Sequence, residues 1–260
     1  MIPDATTSLL AAGSGSIVGL VLGLVGGGGS ILAVPLLVYV VGVSSPHVAL
    51  GTSALAVSVS ALGNLPGHWR AGHVKWRCGV VFPGAGVLGA AAGSTAAKAL
   101  DGEKLLALFG IVMVIVGVLM LRQPKAASDP DVHLSSETAR ELLPLLLGIG
   151  FGVGLFSGFF GIGGGFLIVP GLILATGMPL IFAIGTSLVA VGAFGAATAT
   201  SYAVSGLIDW PLAALFVVGG IAGGVAGVSC GKALATRKQA LERVFSILVI
   251  RFSLKSTKLT

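Results

Sequence analysis

The sequence predicts an all-α, polytopic membrane protein made of two inverted structural repeats with broken, re-entrant helices. Three observations predict it. Charge is sparse, long stretches of the chain carry no charge at all, and one ordered set of motifs occurs twice. Of 260 residues, 55% are hydrophobic and only 9% are charged. Mean hydropathy is +1.05. A soluble domain carries about a quarter charged residues, so this chain cannot cover its own surface in water. A water-soluble enzyme, a disordered tail and a secreted disulfide scaffold are excluded. The 42 glycines follow no three-residue period, which excludes collagen.

The spans follow from the charge-free runs. No Asp, Glu, Lys or Arg lies between Ala5 and Arg70, or within residues 78–97, 105–121, 142–208 and 210–231. A helix crossing the hydrocarbon needs about 20 apolar residues. Runs 78–97 and 105–121 therefore fit one helix each, while 5–69 and 142–208 hold several. Glycine and proline divide the long runs. Residues 8–25 meet Gly26-Gly27-Gly28-Gly29-Ser30, followed by the short stretch 31–41, a turn at 42–47 and a helix at 48–63. Residues 142–160 meet Gly161-Ile162-Gly163-Gly164-Gly165, followed by 166–175, a turn near Met178-Pro179 and a helix at 182–202. Stretches 31–41 and 166–175 are too short to cross alone. Irregular backbone at membrane depth is tolerated only inside protein or beside a cavity, so both are expected to be re-entrant. A last helix is expected at about 241–254.

A shift of about 135 residues overlays the chain on itself. Gly23, Gly26, Gly28, Gly29, Ser30 and Pro35 match Gly158, Gly161, Gly163, Gly164, Gly165 and Pro170. Gly51-Thr52-Ser53 matches Gly185-Thr186-Ser187, and Gly72-x-Val74-x-Trp76 matches Gly206-x-Ile208-x-Trp210. The expected organisation is a first transmembrane repeat at 1–121, a polar cytoplasmic linker at 122–141 and a second transmembrane repeat at 142–260. Loop 64–77 carries Arg70, Lys75 and Arg77, whereas its counterpart 203–211 carries only Asp209. Lys and Arg mark the cytoplasmic side. Matched loops should then face opposite sides, with an odd number of crossings per repeat, the plan of many secondary transporters. The net charge of +6 is read as topogenic loop charge rather than a nucleic-acid surface.

The motif G-x-x-G-x-G-G-[G/S]-x-x-x-x-P, followed by G-T-S and G-x-[V/I]-x-W, occurs twice. It resembles the sulfite exporter TauE/SafE family of membrane permeases over about residues 15–250. The resemblance implies export of sulfur oxyanions, small organic sulfonates or related acids through the cytoplasmic membrane. Ser30 stands where the second copy has Gly165.

The residues themselves point to a site. A glycine run inside a membrane segment unwinds the backbone. A helix restarting at about Ile31 or Phe166 aims its first N–H groups at the break, and such an end attracts anions. The expected substrate-binding residues are Gly26, Gly27, Gly28, Gly29, Ser30, Thr52, Ser53, Gly161, Gly163, Gly164, Gly165, Thr186 and Ser187. His68 and Arg70 are candidates for a cytoplasmic mouth, against the competing reading of plain topogenic charge, which is preferred. The competing reading of glycine is helix packing. It is preferred for Gly219, Gly223, Gly227 and Gly231, for Gly89 and Gly93, and for Gly148 and Gly152. Pro35 and Pro170 read as kinks.

The run Gly26–Ser30 lacks the G-K-[S/T] ending of a phosphate-binding loop. The four histidines and two cysteines show no metal-ligand spacing, so no metal and no cofactor are expected. Cys78 and Cys230 read as small buried hydrophobes. No carboxylate lies within the charge-free runs, so transport driven by membrane potential is expected rather than proton coupling. The alternatives are an importer or proton-coupled carrier, and a non-transporting membrane partner. An intramembrane enzyme would need acid–base or metal clusters that the apolar segments do not offer. The expected partners are a small anionic substrate and the lipid bilayer, with no nucleic acid; homo-oligomerisation is left open.

Overall fold

The computed structural model describes residues 4–122, 139–161 and 165–234. The described chain is helical. It runs α1 (Ala5–Val25), a 3₁₀ turn (Gly26–Leu32), α2 (Ala33–Tyr39), α3 (Pro46–Arg70), α4 (Trp76–Lys98), α5 (Gly102–Arg122), α6 (Ala139–Phe159), α7 (Gly165–Thr176), α8 (Leu180–Val204) and α9 (Trp210–Leu234). Among the described residues, six segments are long and apolar enough to cross a membrane: Ala5–Tyr39, Pro46–Arg70, Trp76–Lys98, Leu142–Phe159, Leu180–Val204 and Trp210–Cys230. The chain is a multi-pass membrane protein. Leu9, Val80, Leu88, Leu174, Val218 and Val225 lie exposed on the outside of the bundle, as residues facing lipid do. Trp69, Trp76 and Trp210 sit exposed at helix ends, as interfacial aromatics do.

The two halves pack by exchanging helices. α1 lies along α9, and its counterpart α6 lies along α4. In the first pair a methyl placed on Gly15, Gly19 or Gly23 would overlap the backbone of Phe216, Gly220 or Gly224. Residue numbers rise together, so α1 and α9 run parallel. α4 and α6 do likewise, with Gly86, Gly89 and Gly93 set against Gly150, Phe151 and Leu155. The central pair differs. α3 and α8 hold matched places in the two copies, and they run antiparallel. Gly51 meets Tyr202 near one end, the Ser58 hydroxyl donates to the Gly192 carbonyl at 2.7 Å in the middle, and Leu62 also meets Gly192.

Gly219, Gly223 and Gly227 do pack, each against α1 backbone, as Gly89 and Gly93 do against α6. Gly148 and Gly152 do not: nothing lies within 4 Å of a methyl placed on either. On α6 the packing stripe is Gly150, Gly154 and Gly158, on another face of the same helix. Cys78 is buried, but Cys230 is exposed near the end of α9, so only the first fits the reading as a buried hydrophobe.

The central helices are longer than the composition implied. α3 continues through Asn64 and His68 to Arg70, and α8 runs from Leu180 to Val204. What stops them is the glycine of the G-x-[V/I]-x-W motif. Gly72 and Gly206 adopt φ +71° and +68°. The next N–H turns back across the helix end, from His73 to the His68 carbonyl and from Leu207 to the Tyr202 carbonyl, both at 3.0 Å. This is the Schellman stop, in which a left-handed residue after the helix favours glycine. The motif tryptophan then opens the next helix. The expected last helix at 241–254 and the centre of the linker lie outside the described residues.

Candidate functional site

The two glycine runs break their helices where the sequence places the breaks. α1 ends at Val25, and Gly26 takes φ +71°. The 3₁₀ turn that follows folds back along α1, so that a methyl on Gly29 would overlap the backbone of Val21 and Leu22. In the second half α6 ends at Phe159, Gly161 takes φ +63°, and α7 starts at Gly165. The two interruptions meet. A methyl on Gly27 would overlap the backbone of Gly165, and one on Gly165 would overlap Gly27. Residues 26–30, 161 and 165 are all buried. Gly163 and Gly164 lie outside the described residues. The first restart differs from expectation in form: the chain coils at once as 3₁₀ from Gly26 instead of opening a new helix at Ile31, and the regular helix begins only at Ala33. Pro35 and Pro170 lie inside the restarted helices α2 and α7.

The G-T-S motif has a division of labour that is the same in both copies. The glycine allows close approach: a methyl on Gly51 would overlap the Leu207 carbonyl, and one on Gly185 the His73 carbonyl. The threonine accepts an N–H from the loop of the other repeat. Thr52 Oγ1 accepts from Asp209, and Thr186 Oγ1 accepts from Lys75, each at 3.0 Å. The serine reaches the other repeat's break. The Ser53 hydroxyl lies 2.9 Å from the Gly161 carbonyl and 2.9 Å from the Leu50 carbonyl. The Ser187 hydroxyl donates to the Ile184 carbonyl at 2.7 Å and accepts the Gly27 N–H at 3.1 Å. The Ser30 hydroxyl donates to the Gly27 carbonyl at 2.8 Å, tightening the 3₁₀ turn. All four Thr and Ser side chains of the two motifs are fully buried. In apolar surroundings an unpaired backbone group costs several kcal/mol, so the serine hydroxyls stabilise the breaks and the threonine hydroxyls the loops.

The two mouth candidates part company. Arg70 is exposed at the end of α3. His68 is buried, and its Nε2 lies 3.1 Å from the Gly23 carbonyl, in the last turn of α1 just before the break. It therefore sits inside the bundle, beside the last turn of α1. The reason is the added length of α3, which carries His68 inside the bundle. Lys75 in the following loop lies over the Phe182 ring at 4.6 Å.

Sequence reasoning missed a second group of residues. Ser60, Asn64, Ser157, Thr198 and Tyr202 are buried, and their polar side-chain atoms have no hydrogen-bond partner among the described residues. Asn64 and Thr198 hold matched positions, twelve residues beyond Thr52 and Thr186. His68 and Tyr202 are matched one turn further on. The repeat register carries this signal, although the loop charge after Asn64 makes 64–77 read as a loop. No group of three or more His, Cys, Asp or Glu side chains that could hold a metal ion occurs among the described residues.

Comparison with known proteins agrees with this architecture. The family described as "Sulfite exporter TauE/SafE" matches residues 11–256. The chain is 51% identical over 242 residues to a "Probable membrane transporter protein" of Xylella fastidiosa strain Temecula1, covering 93% of this chain and 92% of the relative. It is 28% identical to the "Probable membrane transporter protein YunE" of Bacillus subtilis, covering 86% and 88% of the two chains. No solved structure matches. With nearly its whole length matched, the chain belongs to the sulfite exporter TauE/SafE family of membrane transporters.

Proposed function

We propose that this protein exports a small anion, namely sulfite, a sulfonate or a related organic acid, across the cytoplasmic membrane, driven by the membrane potential. The observation that carries the reading is the meeting of Gly27 and Gly165 in a buried place between the repeats. Two interrupted helices converge there, as discontinuous helices do at transporter substrate sites. The first N–H groups of a helix lack intrahelical partners and favour negative charge. Gly26, Gly27, Gly28, Gly29 and Ser30 of one repeat and Gly161, Gly163, Gly164 and Gly165 of the other form the substrate site in this reading. Ser53 and Ser187 complete it by holding the breaks in one geometry, and Thr52 and Thr186 by fixing the loops beside it. The antiparallel run of the matched helices α3 and α8 supports an inverted relation between the repeats. The basic loop at Arg70 and Lys75 then marks the cytoplasmic side, and Asp209 in the matched loop marks the outside.

An anion leaving a negative interior gains about 2.3 kcal/mol per charge for each 100 mV. Efflux from sulfite-loaded proteoliposomes under a potassium–valinomycin potential tests the proposal. The expected result is efflux that grows with an inside-negative potential and is indifferent to a pH gradient. Flux that persists at zero potential but collapses with the pH gradient would assign proton coupling instead.

A further inference from the structure

One face of α3 runs from the second break to the last turn of α1. Ser53 touches the Gly161 carbonyl at the second break, and His68 touches the Gly23 carbonyl just before the first. Fifteen residues of helix separate them, about 22 Å at 1.5 Å per residue. Ser60 and Asn64 lie between the two on the same face, because helical positions repeat every three to four residues. Ser60 Oγ and both polar atoms of Asn64 are buried without a hydrogen-bond partner among the described residues. They rest on α9 backbone: a methyl on Gly220 would overlap Ser60, and one on Gly224 would overlap the Asn64 amide. In α8 the matched face runs from Ser187, which accepts the Gly27 N–H, to Thr198 and Tyr202. The hydroxyls of both are likewise buried and unpartnered.

An orphaned amide in a membrane interior costs more than a leucine there would. Native proteins pair nearly all their buried polar groups, so an exception calls for a reason. Polar side chains inside membrane segments mark solute paths. Here the orphans are on matched faces of the two central helices, and on α3 they fill the interval between Ser53 and His68. Each is an uncharged group that can both donate and accept. Such groups solvate a small oxyanion or its water without trapping it, as a fixed cationic side chain would.

We propose that Ser60 and Asn64 on α3, with Thr198 and Tyr202 on α8, line the path by which a small hydrated oxyanion moves to and from the glycine breaks. The proposal rests on the transport reading but not on the coupling or direction assigned above.

The test uses the full chain with Cys78→Ala and Cys230→Ala. Asn64→Cys, Thr198→Cys and the control Ala54→Cys are each added to it. Ala54 is fully buried on α3 against Gly195 of α8, away from the polar face. Membrane vesicles are treated with a small sulfonate-bearing methanethiosulfonate reagent. The expected result is that Asn64→Cys and Thr198→Cys react at least tenfold faster than Ala54→Cys, and that methanesulfonate, a sulfonate that does not consume the reagent, slows them. Rates no faster than the control at both positions would overturn the proposal. Asn64→Leu is expected to keep its membrane level while losing at least tenfold in solute flux, with Asn64→Ser restoring part. Wild-type flux in Asn64→Leu would also overturn it. Reagent access at both positions in a protein that moves no sulfite would leave the path standing and refute only the choice of solute.

Discussion

The Ser187 hydroxyl of the second repeat accepts the Gly27 N–H of the first at 3.1 Å, across the seam where the broken segments meet. Its match, Ser53, reaches the Gly161 carbonyl at 2.9 Å. Each repeat thus secures the other's interruption. Replacing Ser187 by Ala leaves a buried N–H unpaired, at a cost of about 1–3 kcal/mol. The expected outcome is a lowered thermal midpoint in detergent together with reduced flux. A midpoint equal to wild type would show that the Gly27 N–H finds another acceptor.

The threonines of the same motif hold the loops, not the breaks. Thr52→Val and Thr186→Val keep the shape and remove the acceptor for the Asp209 and Lys75 N–H groups. Each is expected to cost about 1–3 kcal/mol. The check is chemical unfolding of each single variant. Because the two bonds lie at different loops, the double variant should show additive losses.

Glycines divide sharply by position. Gly165→Ala would push a methyl into the Gly27 backbone, where neither segment is a flexible side chain that could yield. Gly152→Ala meets nothing within 4 Å and gains helix propensity of up to about 1 kcal/mol. Expression and thermal midpoint should fall for the first and hold or rise for the second. Equal behaviour of the two would contradict the packing described for the seam.

Reactivity separates the two cysteines. Cys230 is exposed near the end of α9 and Cys78 is buried beneath the bundle surface. A membrane-permeant maleimide should label the native protein once, at Cys230, and a second time only on unfolding. Mass spectrometry of the labelled chain gives the count directly.

Much of this architecture was legible in the sequence, for identifiable physical reasons. Gly26–Ser30 and Gly161–Gly165 announced the breaks because no membrane helix sustains such a run. The repeat was legible because its constraints recur: a left-handed stop at Gly72 and Gly206, and a close approach at Gly51 and Gly185. The partners of Thr52, Ser53, Thr186 and Ser187 in the other repeat were not legible, since each lies more than a hundred positions away and depends on how the halves dock. The far end of α3 was not legible because Asn64 and His68 look like loop residues until packing buries them. The face of α6 was also misread: Gly148 and Gly152 have the same spacing as Gly150 and Gly154, and only the neighbour α4 distinguishes the two stripes.

Transport by this route requires solute binding at the paired breaks, and Gly28 is buried in the first of them. Calorimetric titration of sulfite into purified wild-type protein and into Gly28→Leu, both verified as folded by thermal melt and gel filtration, probes it most directly. The account predicts saturable binding to the wild type and none to the variant. Equal affinity in the two proteins would contradict it and move the binding site away from the glycine breaks.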